Sequence, residues 1–333
     1  MSDGSFNALW VEKSGEKQFS QQIIQRSVSS LPDHPLQVAV HYSSLNYKDA
    51  LSTFGKPGVT REYPHTPGID AAGIVIADHS GRFNPGEKVI VSGYDLGMNT
   101  SGGLAERIHV PSEWALALPD GLSLRDSMII GTAGFTAALC VQKLLHMGAR
   151  PKDGEVLVTG ATGGVGSFSI AILSKLGFKV AALTGKADQA ERLKALGAQH
   201  IVDRETLAQE NPKPLAKPQW AHAIDCVGGN ILSNLIKSIH YSGSIAACGL
   251  AASPNLNLTV LPFILRDVNL LGVDCVEQPL ANKAANWQRL ATDFKLANLA
   301  DMAEEIALDQ VVSYLDKFLH GQVLGRYVVN IQA

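Results

Sequence analysis

The chain has 333 residues, 46% of them hydrophobic and 18% charged, with a formal net charge of −3. That length accommodates two domains with a core each, and the balance excludes a disordered chain or a general attraction to nucleic acid and anionic membranes. No apolar run reads as reaching the roughly 20 residues of a membrane span, and the opening Met1-Ser-Asp-Gly-Ser lacks the basic and apolar blocks of a leader. Cys140, Cys226, Cys248 and Cys275 are scattered, with no C-x-x-C, among apolar neighbours, which predicts buried free thiols and a reducing, cytoplasmic home.

In chain order, the first ~120 residues read as β-rich. Strands are expected at 36–42, 73–77 and 88–92, separated by turn clusters at 31–35, 84–87 and 118–121. Many short strands at such spacing predict a barrel-like β domain. Residues 124–147 carry apolar positions at helical spacing. Beyond them strands at 156–159, 179–184, 200–202, 221–227, 244–248 and 269–273 alternate with helices at 167–176, 187–196 and 231–239. This βαβ alternation predicts a doubly wound parallel sheet. The segment 205–219, with Pro212, Pro214 and Pro218, reads as a surface connection. The tail breaks the pattern, with amphipathic helices predicted at 287–294 and 302–319 and a terminal strand at 325–331 that returns to the first domain.

The run Val156-Leu-Val-Thr-Gly-Ala-Thr-Gly-Gly-Val-Gly166 is a β-branched strand breaking into glycines and then into a helix. A helix start offers unpaired N–H groups and a positive dipole end, which suit a pyrophosphate. The window from Ala161 to Gly166 matches the G-x-G-x-x-G fingerprint with Ala161 at its first glycine; Gly163 permits close backbone approach and Gly166 close helix packing. NAD-specific sites place a carboxylate at the end of the next strand to grip the ribose 2′-hydroxyl. Here that strand ends in Thr184, Gly185 and Lys186, with no carboxylate before Asp188. A hydroxyl, an open glycine and a cation suit a 2′-phosphate, which predicts NADP(H).

Several segments occur together in order: Ser43-Ser-Leu-Asn-Tyr-Lys-Asp49, Pro67-Gly-Ile-Asp-Ala-Ala-Gly73, Gly102-Gly-Leu-Ala-Glu106, Gly131-Thr-Ala-Gly-Phe-Thr-Ala137, the glycine loop, and Pro262-Phe-Ile-Leu-Arg266. With these the chain resembles the medium-chain dehydrogenase/reductase superfamily over nearly its whole length. It looks most like the zinc-independent quinone-oxidoreductase branch, and within it the NADPH-dependent acryloyl-CoA reductase group. The resemblance implies an α/β protein. Its GroES-like, β-barrel-type catalytic domain would span 1–125, completed by 275–333, and its Rossmann domain 126–274. It further implies that Thr162, Gly163, Gly164, Val165 and Gly166 hold the pyrophosphate and that Arg204 joins Thr184, Gly185 and Lys186 at the 2′-phosphate. Tyr47 would contact the cofactor, Leu250, Ile264 and Cys275 would line the nicotinamide side, and Gly321 would stand where relatives carry a cofactor-contacting asparagine. Tyr47 is also the candidate to donate to, or protonate, an enolate; a buried tyrosine with a satisfied hydroxyl is the competing reading. Asn46 and Asp49 are further catalytic candidates, and Asp49 equally suits capping of the next helix. Arg326 reads as a cofactor or CoA-phosphate contact or as a surface ion pair, and Arg266 as a cation of open role.

Zinc alcohol dehydrogenases carry Gly-His-Glu where this chain has Gly68-Ile69-Asp70, and no cysteine precedes Cys140. Zinc needs three or four ligands at once, so no metal is expected, and His65 and His79 read as surface histidines. A conjugated alkene spreads the charge of an arriving hydride onto its carbonyl, where hydrogen-bond donors suffice. The expected reaction is therefore reduction of the C=C bond of a short 2-enoyl-CoA, acryloyl-CoA above all, by hydride transfer to the β-carbon and protonation at the α-carbon. A quinone or enone reductase and a non-catalytic NADPH-binding protein are the alternatives. The expected partner beyond the substrate is a second copy of the chain, paired through strand 269–273.

Overall fold

The computed structural model describes residues 4–16 and 18–333. Two compact units emerge, one made of Met1–Thr132, Val276–Thr292 and Ala297–Ala333, the other of Ala133–Cys275 and Asp293–Leu296. The sequence places the first change of unit at residue 125; the chain crosses after Thr132, because Gly131 kinks the long helix there with φ 48° and ψ −163°.

The first unit opens with the antiparallel hairpin β1 (Ser5–Lys13) and β2 (Phe19–Ser27). Then come β3 (Leu36–Ser44), α1 (Tyr47–Thr53), β4 (Asp70–Asp78), β5 (Lys88–Ser92), β6 (Arg107–Val110), β7 (Ala115–Ala117) and the start of α2 (Leu124–His146). β3 is the hub. Its alternation buries Leu36, Val38 and Val40 on one face. One edge pairs with β4, while the other takes β6 over its first half and a C-terminal strand over its second. Among the described residues α2 is, by length and composition, a helix apolar enough to cross a membrane, contrary to the expectation from the sequence, yet it is kinked and most of its apolar window is buried in the fold.

The second unit carries β8 (Glu155–Thr159), α3 (Gly164–Lys175), β9 (Lys179–Thr184), α4 (Ala190–Ala195), β10 (His200–Asp203), α5 (Glu205–Ala208), β11 (His222–Asp225), α6 (Gly229–Lys237), β12 (Ser244–Ala247), α7 (Leu261–Arg266) and β13 (Asn269–Gly272). All pairings are parallel, in the order β10-β9-β8-β11-β12-β13. That is the Rossmann order 3-2-1-4-5-6, whose reversal between β8 and β11 opens a crevice at the strands' C-terminal ends. Val180 to Thr184 of β9 are buried without alternation, as in a sheet covered on both faces. Ile231, Leu232, Leu235 and Ile236 of α6 pack one such face.

The tail returns to the first unit as α8 (Leu280–Ala291), β14 (Ala303–Ala307), α9 (Val311–Leu319) and β15 (Arg326–Asn330). Two predictions change here. The helix expected at 287–294 starts at Leu280, and the one expected at 302–319 is a strand followed by a helix, because β14 pairs in parallel with β15.

Candidate active site and dinucleotide loop

In the first unit the sequence turns sharply between β3 and α1, and Asn46 and Asp49 hold that turn. The backbone N–H of Asn46 donates to Asp49 Oδ2 at 2.8 Å and that of Ile69 to Asp49 Oδ1 at 2.9 Å. Asp49 is fully buried; burial, reinforced by the charge of Asp70, pushes its carboxyl up to about 7. The Asn46 side chain also faces inward, donating from Nδ2 to Asp70 Oδ2 at 2.8 Å and accepting on Oδ1 from Arg326 Nη1 at 3.0 Å. Both residues therefore set the backbone of α1 and present no group to a substrate. Tyr47, the first residue of α1, differs: its side chain is 48% exposed and has no hydrogen-bond partner among the described residues.

Asp70 is the centre beneath this turn. Its Oδ2 accepts from Ser44 Oγ at 2.6 Å and Thr132 N at 2.9 Å, and its Oδ1 from Thr132 Oγ1 at 2.7 Å. Arg326 lies 3.9 Å away and donates to the Ile129 carbonyl, the Leu45 carbonyl and Ser44 Oγ. Both charges are buried, so Arg326 is neither a surface ion pair nor a phosphate contact. A buried pair this fully bonded is costly to break, about 3–5 kcal/mol if one partner is removed. A Cβ on Gly131 would stand 2.4 Å from Arg326 Nη2 and 2.5 Å from Ser44 Oγ, so only glycine leaves room. The role of Asp70 is not evident from its motif in the sequence; its signal is a carboxylate that opens a strand apolar from Ala71 to Ala77.

With its oxygens committed, Asp70 has no place in a zinc site. Among the described residues no group of three or more His, Cys, Asp or Glu is placed to hold a metal ion. His65, read as a surface residue, is buried with Nε2 3.0 Å from the Gly97 carbonyl; His79 is exposed.

In the second unit β8 ends in a turn at Gly160, whose φ of +60° supplies the left-handed residue that Ala161 cannot. Gly163 caps α3 with no side chain of its own, and Gly164, Val165 and Gly166 form the first turn. A Cβ on Gly166 would fall 2.4 Å from the Gly160 carbonyl oxygen, so this glycine brings α3 against the strand end. Thr159 Oγ1 donates to Asp225 Oδ1 at 2.6 Å, and Asp225 Oδ2 accepts from Gly228 N at 2.8 Å. The buried Asp225 thus fixes the Gly228-Gly229 turn to the mouth of β8, and burial pushes its carboxyl up.

At the end of β9, Thr184, Gly185, Lys186 and Arg204 come together. Arg204 N donates to the Thr184 carbonyl at 3.0 Å, Lys186 N to Thr184 Oγ1 at 3.0 Å, and a Cβ on Gly185 would meet Arg204 Cζ at 3.2 Å. The guanidinium lies over the glycine and 3.5 Å from the exposed Glu205 carboxylate, while Asp188 sits in the turn after β9 bonded to Gln189. Burial lowers the Lys186 pKa. A hydroxyl and two cations around an open glycine fit a 2′-phosphate.

The remaining predicted contacts are placed less closely. Leu250 and Ile264 are 63% and 68% exposed, Cys275 is half-buried, and Gly321 takes a φ of +65° just beyond α9, terminating that helix. Arg266 is structural, donating to the Lys237 and Ala216 carbonyls at 2.8 and 2.7 Å.

Residues 32–120 match the alcohol dehydrogenase GroES-like domain and residues 164–292 the zinc-binding dehydrogenase family. Acrylyl-CoA reductase AcuI of Ruegeria pomeroyi is 44% identical, covering 98% of this chain and 100% of that protein. The yhdH oxidoreductase of Salmonella enterica, solved in complex with NADP, superposes with a TM-score of 0.95 at 47% identity over 98% of this chain and 100% of its own. Bacillus subtilis protein yhfP, solved with NAD bound, gives 0.95 at 42% identity with the same coverage. With the Rossmann order, the glycine loop and these full-length likenesses, the chain belongs to the zinc-independent, quinone-oxidoreductase-like branch of the medium-chain dehydrogenase/reductase superfamily.

Proposed function

We propose that this protein reduces the C=C bond of a short 2-enoyl-CoA thioester, acrylyl-CoA foremost, with NADPH as the reductant. The observation that carries the reading is Tyr47, an exposed phenol without a hydrogen-bond partner among the described residues, on a helix start fixed by Asn46, Asp49 and Asp70. The full-length likeness to the Ruegeria pomeroyi acrylyl-CoA reductase supports the substrate class. Bound NADPH supplies the hydride that reaches the β-carbon. Thr184, Lys186 and Arg204 hold its 2′-phosphate, and the first turn of α3 holds its pyrophosphate. Tyr47 donates its hydroxyl hydrogen to the thioester oxygen as charge gathers there, and the locked backbone keeps the donor in place before the charge develops.

Stopped-flow oxidation of NADPH with acrylyl-CoA, crotonyl-CoA and a benzoquinone in parallel tests the substrate, with the highest kcat/KM expected for acrylyl-CoA. A benzoquinone turned over faster than either thioester reverses the assignment. Tyr47→Phe is expected to lower kcat by ~10²–10⁴ with NADPH binding little changed. Normal turnover in that variant removes Tyr47 from the chemistry.

We also propose a homodimer. β13 ends the parallel sheet, and Val260, Ile264 and Leu265, just before it in sequence, are exposed apolar residues. An edge strand and exposed apolar side chains each favour pairing with a copy of the chain.

A further inference from the structure

Cysteines that are far apart in sequence converge in the second unit. The last paired residues of β11 and β12 are Asp225 and Ala247, so Cys226 and Cys248 follow directly across from each other. Cys248 N donates to the Asp225 carbonyl at 2.9 Å, which carries the pairing to the cysteines. Their sulfurs are 3.7 Å apart, both residues are half-buried, and neither is in a disulfide. Neighbouring strands lie about 4.8 Å apart, inside the 4.4–6.8 Å that a disulfide's Cα atoms span, so the pair can close, and bringing the sulfurs from 3.7 Å to ~2.05 Å rotates both side chains and draws on the backbone that carries them.

The position of the pair matters more than its existence. Cys226 N donates to Thr159 Oγ1 at 3.0 Å, the last residue of β8, and a Cβ on Gly160 would stand 3.3 Å from Cys226 Cβ. A Cβ on Gly249 would lie 2.4 Å from the Cys226 carbonyl oxygen. Cys226 is thus tied by its N–H to the last residue of β8 and sits beside the glycine turn of the dinucleotide loop and the turn after β12.

We propose that Cys226 and Cys248 form an oxidisable dithiol, a modification site for small hydroperoxides, whose closure to a disulfide distorts the Gly160 turn and weakens NADPH binding. With the sulfurs 3.7 Å apart, whichever is oxidised first is within reach of the other, and in the proposed order the Cys248 thiolate attacks first. It attacks one oxygen of the peroxide; the O–O bond breaks, Cys248 becomes a sulfenic acid, and the departing hydroxide takes the proton the thiol lost, leaving as water. The Cys226 sulfur then attacks the Cys248 sulfur, the S–S bond forms, the S–O bond breaks, and a second water leaves with the Cys226 proton. Two thiols are oxidised by two electrons and one hydrogen peroxide is reduced to two waters. By linkage, a disulfide that weakens NADPH binding is itself disfavoured by bound NADPH to the same factor.

The test uses the full chain treated with hydrogen peroxide, the excess removed by catalase. Intact mass should fall by two hydrogens, with peptide mapping placing the cross-link at Cys226–Cys248. The Kd for NADPH, read by fluorescence titration, should rise at least roughly fivefold and recover with dithiothreitol. In Cys226→Ser and, separately, in Cys248→Ser, peroxide should leave the Kd unmoved. In a glutathione redox buffer, saturating NADPH should shift the dithiol–disulfide midpoint towards more oxidising conditions. A cross-link to Cys140, no cross-link, or a mapped Cys226–Cys248 disulfide with unchanged NADPH Kd each overturns the proposal.

Discussion

Lys186 and Arg204 show how little local chemistry separates one dinucleotide from another. No carboxylate stands at the end of β9 to repel a phosphate, and the guanidinium lies across Gly185. A charge-assisted hydrogen bond is worth roughly 1.5–3 kcal/mol, so the Lys186→Ala/Arg204→Ala double variant should lose at least tenfold in NADPH affinity while NADH binding changes little. Equal kcat/KM for the two cofactors in the unaltered enzyme counts against the phosphate site. Asp49 makes a different prediction. Its carboxyl, pushed up to about 7 by burial and by Asp70, keeps its proton in the fold where the unfolded chain has released it. The stability this group contributes is therefore full below the ordinary aspartate value of about 4 and is lost as pH rises towards 7. Asp49→Asn removes that slope and one acceptor for the Asn46 and Ile69 N–H groups. The gap in Tm between wild type and variant should shrink from pH 4 to pH 8; a constant gap means Asp49 is ionised throughout.

At the scale of the element, α3 and its loop separate two glycines that look alike in sequence. A Cβ on Gly166 would press on backbone, 2.4 Å from the Gly160 oxygen and 2.7 Å from Ala161 Cα, whereas one on Gly163 would meet only the Gly160 oxygen at 3.4 Å. Gly166→Ala should therefore cost roughly 1–3 kcal/mol, seen as a lower Tm, and weaken NADPH binding as α3 shifts; Gly163→Ala should keep a Tm near that of wild type. The strands of the parallel sheet were legible because continuous apolar runs, such as residues 180–183, leave few alternatives. β14 was not. Its Ala303-Glu-Glu-Ile-Ala307 is built of helix formers, and pairing with β15 overrides that propensity. α8 is longer than its sequence suggests because Lys283 and Asn286 look like a solvent face yet are buried, Lys283 bonded to the Ser92 carbonyl. Within the candidate site the glycine loop and the phosphate cluster are local in sequence and could be read. The Asp70–Arg326 network and the Cys226–Cys248 pair join residues whose proximity no spacing rule announces.

For the whole molecule, sedimentation at micromolar concentration should give a dimer, and Ile264→Glu with Leu265→Glu should shift it towards monomer; a wild-type monomer removes the proposed pairing. The order of the units along the chain carries another consequence. Arg326, which neutralises buried Asp70 and anchors Asn46, lies 280 residues beyond Asn46. On a ribosome the nucleotide-binding unit is nearly complete once Cys275 has emerged, while the unit that begins the chain still awaits its last strand. Domains usually fold in the order they are made; here the earlier-made unit finishes last. Until then it holds an unpaired aspartate and the open edge of β3 that β15 will cover, exposed features of the kind that chaperones retain and proteases cut.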